Sequence, residues 1–138
     1  MKLTRVLLTA CLSLISATAM AGKTQPAPVT IDLVNRVASG DMVAARFSSN
    51  EEELIGCGVR YYEDAGGAIT YAFCQARLDA SETGLILCST FNTELIEAIQ
   101  SISAFSFVTF SWNEDNECTR IGNSSQSMYI PNFRLRRR

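Results

Sequence analysis

From Asn92 to Trp112 the chain reads NTELIEAIQSISAFSFVTFSW, and its hydrophobic period changes half-way along. Leu95, Ile99 and Ile102, with Ile96 beside them, follow the spacing of one helical face, while Glu94, Glu97, Gln100 and Ser101 take the other. Asn92 suits an N-cap, Phe91 and Ile96 are placed for a hydrophobic staple, and Glu94 and Glu97 set negative charge near the positive end of the helix dipole. These signals predict an amphipathic helix over about residues 92–103. Beyond Ala104, FSFVTFSW alternates small hydroxyls with large apolar groups, which predicts a strand carrying Val108, Phe110 and Trp112 on its core face. An amphipathic helix running straight into a strand needs a sheet to lie on.

Upstream, Leu54–Tyr62 and Ala68–Leu78 flank Glu63-Asp64-Ala65-Gly66-Gly67, whose glycines suit a tight hairpin. If the strands pair symmetrically about that turn, one face carries Cys57, Val59, Tyr61, Ala72, Cys74, Ala76 and Leu78. Small apolar groups and cysteines suit the side on which a helix packs. The opposite face carries Arg60, Tyr62, Tyr71, Phe73, Gln75 and Arg77, an unusual mixture of cations and aromatics. Asp79–Thr83 then turns the chain into the short strand Gly84–Ser89 that feeds the helix. Nearer the N-terminus, Val29–Val37 and Met42–Phe47 read as a hairpin turning at Ala38–Asp41, and Ser48–Glu53 as a solvated acidic loop. After Trp112 come a polar turn at Asn113–Asn116, a strand at Glu117–Ile121, a loop at Gly122–Ser127 and a short apolar segment, Met128–Ile130, ended by Pro131.

The first 21 residues have the layout of a secretory signal peptide: Lys2 and Arg5, an apolar run from Val6 to Ile15, and the small-x-small site Ala19-Met20-Ala21. The run is well short of the about 20 residues that span a bilayer. The mature chain, residues 22–138, is then periplasmic or secreted and holds a flexible lead-in at 22–28, a single domain at 29–131 and a basic tail at 132–138. Without Lys2 and Arg5 it has 10 basic and 14 acidic residues, and four of those 10 lie in the last five positions. An acidic body argues against nucleic acid as partner, since phosphate neutralisation needs clustered Lys and Arg.

Four cysteines remain after the leader: Cys57, Cys74, Cys88 and Cys118. An even number in a small exported domain predicts two disulfides, and the spacings lack the close pairs that zinc sites use. Three connectivities are open; closing one short loop and tying the first hairpin to the last strand favours Cys74–Cys88 with Cys57–Cys118. The fold class expected is α+β, a mostly antiparallel sheet of about six or seven short strands with one helix between the fifth and sixth.

The chain contains no histidine, which removes Ser-His-Asp and Cys-His machinery and histidine-ligated metals together. No cofactor or metal motif is present, and Gly66-Gly67 is followed by neither the Lys-Ser/Thr nor the helix of a phosphate loop. The carboxylates open to a hydrolase are Glu63, Asp64, Asp79, Glu82, Glu94 and Glu97, all in turns or on the outer helix face. The expectation is a non-enzymatic binding module, a partner-binding or inhibitory protein, whose candidate contact residues are Arg60, Tyr62, Tyr71, Phe73 and Arg77. The other readings are a carboxylate hydrolase, a structural envelope protein, and burial of these aromatics beneath a second layer of the same chain.

Overall fold

The computed structural model describes residues 22–81 and 84–131, so the leader, Glu82, Thr83 and the basic tail lie outside the described residues. Among the described residues seven strands form two antiparallel sheets. Strands β1 (Thr30–Asp32), β2 (Val37–Asp41), β6 (Phe107–Trp112) and β7 (Cys118–Ser124) form one in that order, and β3 (Leu54–Asp64), β4 (Gly67–Arg77) and β5 (Leu85–Thr90) form the other. Helix α1 (Met42–Arg46) follows β2, and α2 (Thr93–Gln100) lies between β5 and β6 as the periodicity predicts.

In α2 the Asn92 side chain accepts the Leu95 N–H, so the N-cap is where the sequence puts it. Ile96 and Ile99 are buried on the inner side. The helix stops at Gln100 rather than near residue 103, because Ser103 turns away and donates its N–H to the buried Ser106 hydroxyl. Val108, Phe110 and Trp112 are buried along one face of β6, and Phe110 and Trp112 rings lie 5.9 Å apart. The core is one cluster in which these side chains meet Ile96, Ile99 and the inner residues of β3, β4 and β5.

The first hairpin is displaced from its expected place. Its turn is at Leu33–Arg36, where the Asp32 carboxylate accepts the N–H groups of Val34 and Asn35, and Ala38–Asp41 is strand instead of turn. Gly40 serves close approach here, since a Cβ on it would stand 2.9 Å from the Val29 Cα. Met42–Phe47 is not a strand: Asp41 caps it and Met42–Arg46, rich in helix formers, winds as α1. The lead-in has no regular secondary structure, but it is tied down. Ala27 gives its N–H to the buried Asp41 carboxylate and its carbonyl to the Asp41 N–H, and Gln25 donates to the Met128 carbonyl. At the C-terminal side, β7 runs on through Gly122–Ser124, and Ser127–Tyr129 is a 3-10 turn.

The disulfides are Cys57–Cys74 and Cys88–Cys118, which corrects the favoured pairing. The register sets Cys57 opposite Cys74, with their Cα atoms 4.0 Å apart. Cys118 reaches Cys88 because β5 meets the start of β7 side by side, with a parallel bridge between Ser89 and Glu117. One bond therefore staples the long hairpin and the other joins the two sheets.

Candidate functional site

The register of the three-stranded sheet divides its side chains cleanly. Pairs Cys57–Cys74, Val59–Ala72 and Tyr61–Thr70 lie on one face, and Gly58–Phe73, Arg60–Tyr71 and Tyr62–Ile69 on the other. On β5 the first face continues through Ile86, Cys88 and Thr90, the second through Leu85, Leu87 and Ser89. Every buried residue of these three strands, Ile55, Ala72, Cys74, Ala76, Cys88 and Thr90, belongs to the first face. None on the second face is buried, so among the described residues no second layer closes over it.

That outer face holds a connected aromatic group. Tyr62 meets Tyr71 edge to face at 6.0 Å, Tyr71 lies 6.4 Å from Phe73 and 6.1 Å from Phe91, and the Arg60 guanidinium stands 4.8 Å over the Phe73 ring. The Phe73 ring in turn covers its cross-strand neighbour Gly58, at which a Cβ would come within 3.1 Å of it. Tyr62 is 48% and Phe91 69% exposed, while Tyr71 and Phe73 are half-buried beneath them. Leu85 and Leu87 extend the apolar surface along β5. Among the described residues Arg60 hydrogen-bonds only the Val59 carbonyl, weakly at 3.4 Å, and no carboxylate forms an ion pair with it.

Four of the five candidate contact residues, Arg60, Tyr62, Tyr71 and Phe73, thus come together. Arg77 does not join them. It sits six positions along β4 from Tyr71, which at about 3.3 Å per residue is about 20 Å away, and its charge is taken by Glu52 at 3.3 Å and the Asp79 carbonyl at 2.6 Å. Phe91 enters the group unforeseen, its ring lying against Tyr71. The signal for it was available, because pairing Cys74 with Cys88 across the 79–83 turn extends in register to place residue 91 beside residue 71.

The carboxylates considered for hydrolysis are scattered. Glu63, Asp79, Glu94 and Glu97 are exposed, Asp64 ends β3, and Glu82 lies outside the described residues. Asp79 is held below the ordinary carboxylate range, first by the Ser81 hydroxyl and then by the Ser81 N–H, which keeps it charged rather than poised to donate a proton. A hollow of about 660 Å3 between α1, the 47–53 loop and Phe105 contains none of them. It has Glu51 and Glu53, but the Glu53 oxygens accept from the Val29 N–H and the Ser48 hydroxyl. Among the described residues no group of carboxylates or cysteines is arranged to hold a metal ion, and no helix is long and apolar enough to cross a membrane.

Comparison of the chain with protein-family models, with curated proteins and with solved structures gives no match in any of the three.

Proposed function

We propose that this chain is an exported, non-enzymatic binding module that grips a partner protein through the outer face of its three-stranded sheet. The observation that carries the reading is the exposed group formed by Arg60, Tyr62, Tyr71, Phe73 and Phe91, with apolar leucines beside it. Aromatic rings with few rotatable bonds offer contact area at small entropic cost, and arginine offers directed donors, the combination that dominates interface hot spots. Tyr71 and Phe73 brace Tyr62 and Phe91 from beneath, so less ordering cost falls on the binding step. A matching partner presents an apolar ridge flanked by a carboxylate, since Arg60 carries a charge that no acid of the described residues pairs.

Export is supported by the three-part leader and by four cysteines committed to disulfides, which persist outside the reducing cytoplasm. The hydrolase alternative draws less support, because its described carboxylates do not converge in a hollow. The test is capture from the host's envelope and culture fluid with the mature, oxidised protein, run beside a Tyr62→Ala, Phe91→Ala variant. The expected result is a protein held by the wild type and lost by the variant, with the variant's circular dichroism unchanged. Equal capture by both folded proteins refutes the assignment.

A further inference from the structure

The two disulfides are neighbours in one row. Cys57 stands opposite Cys74 in the β3–β4 register, and Cys74 stands opposite Cys88 in the β4–β5 register, so three cysteines lie side by side on the inner face with Cys118 bonded at the end. Directly opposed residues of antiparallel strands have Cα atoms about 4.5–5.5 Å apart, inside the range that a disulfide spans, about 4.4–6.8 Å. Cys74 and Cys88 are therefore placed to bond without any change of strand register. Access is graded along the row: Cys57 is half-buried, whereas Cys74, Cys88 and Cys118 are almost wholly enclosed.

We infer that this row is a thiol–disulfide exchange relay, through which a low-molecular-weight thiol acting at Cys57 releases the bond that joins the two sheets. The external thiolate attacks Sγ of Cys57, forming a mixed disulfide; the Cys57–Cys74 bond breaks and its electron pair leaves on Cys74. The Cys74 thiolate then attacks Sγ of Cys88. A Cys74–Cys88 bond forms, the Cys88–Cys118 bond breaks, and Cys118 leaves as a thiolate that takes a proton from water. Two disulfides and one thiol enter the sequence and two disulfides and one thiol leave it, so no separate oxidant is needed. The consequence is mechanical. The covalent tie between β5 and β7 is gone, and at that seam the Ser89–Glu117 bridge and the Ser89 N–H to Asn116 carbonyl bond remain. This inference stands apart from the outer face, because the three cysteines in the row, Cys57, Cys74 and Cys88, lie on the inner face of the sheet.

The test uses the folded, oxidised protein and glutathione. Samples are quenched in acid at intervals, alkylated, digested without reduction and mapped by mass spectrometry. The expected product carries glutathione on Cys57, a Cys74–Cys88 cross-link and an alkylated Cys118, appearing as the Cys88–Cys118 peptide pair is lost. Three results overturn the inference: glutathione on Cys57 with Cys74 alkylated and Cys88–Cys118 intact, first attack at Cys88 or Cys118, or no adduct at all. A Cys57→Ser variant gives a second measurement without added thiol. There the free thiol is expected at Cys118 in a measurable share of molecules, and confinement of it to Cys74 overturns the inference.

Discussion

The buried Asp41 carboxylate bridges two segments of the chain, and removing it is expected to loosen both ends of a single junction. One carboxylate oxygen accepts the Ala44 N–H at 2.6 Å and caps α1; the other accepts the Ala27 N–H at 2.6 Å and holds the lead-in against β2. Loss of an N-cap costs about 1 kcal/mol. The stranded Ala27 N–H is half-buried, so its cost falls at the lower end of the usual range, about 1–2 kcal/mol. Asp41→Ala is therefore expected to destabilise by about 2–3 kcal/mol, which for a domain near this size lowers Tm by about 8–12 °C. Asp41→Asn retains one acceptor for two donors and is expected to fall about half-way. Thermal unfolding by circular dichroism gives the shift, and amide exchange at Ala27 and Ala44 reports each bond separately. A Tm within about 2 °C of wild type, with both amides still protected, refutes this account of the junction.

Gly40→Ala is expected to cost about 1–3 kcal/mol in urea unfolding, since the new Cβ meets Val29 backbone, which cannot swing aside as a flexible side chain can. The Asp32 carboxyl is lowered, first by the Asn35 N–H and then by the Asn35 side chain. A depressed folded-state value means that its stabilisation is complete above the unfolded value, near pH 4, and fades as pH falls through the folded value. The urea midpoint of Asp32→Ala is accordingly expected to fall below wild type at pH 7 and to draw nearer to it as the pH is lowered, a gap that does not narrow on acidification being the contrary result. Asn123 donates its side-chain N–H groups to the Ala98 carbonyl and the Ser101 hydroxyl at the end of α2; Asn123→Ala is expected to cost about 1 kcal/mol and to speed amide exchange in the last turn of that helix.

The parts of the fold legible in the sequence are those set by local chemistry. Asn92, the α2 face and the β6 alternation are each written within one segment, and the symmetry of the chain about residues 65 and 66 gives the β3–β4 register and with it both faces of the hairpin. Arg60, Tyr62, Tyr71 and Phe73 were placed together by that register alone. The cysteine pairing was not legible, because Cys74 has a cysteine opposite it on either side and the choice depends on where β7 docks. Loop length favours the shorter bridge, but the meeting of β5 with β7 is a product of packing between sheets. Helix α1 was hidden by its brevity, which leaves no room for a periodic pattern, although Asp41 ahead of Met-Val-Ala-Ala-Arg is a capping signal. The separation of Arg77 from the aromatic group was not legible, since parity assigns a face but not a partner, and Glu52 lies 25 positions away.

The outer face is tested most directly by reversing the cation that belongs to its aromatic group, Arg60. Arg60→Glu exchanges the charge above Phe73 at an exposed position, so the protein itself is expected to keep its Tm to within about 4 °C, the contact being worth about 0.5–1 kcal/mol. Against the partner recovered by capture, titration calorimetry is expected to show affinity weakened at least about tenfold, the effect of about 1.4 kcal/mol at a charged contact. An unchanged Kd for the folded variant contradicts the account.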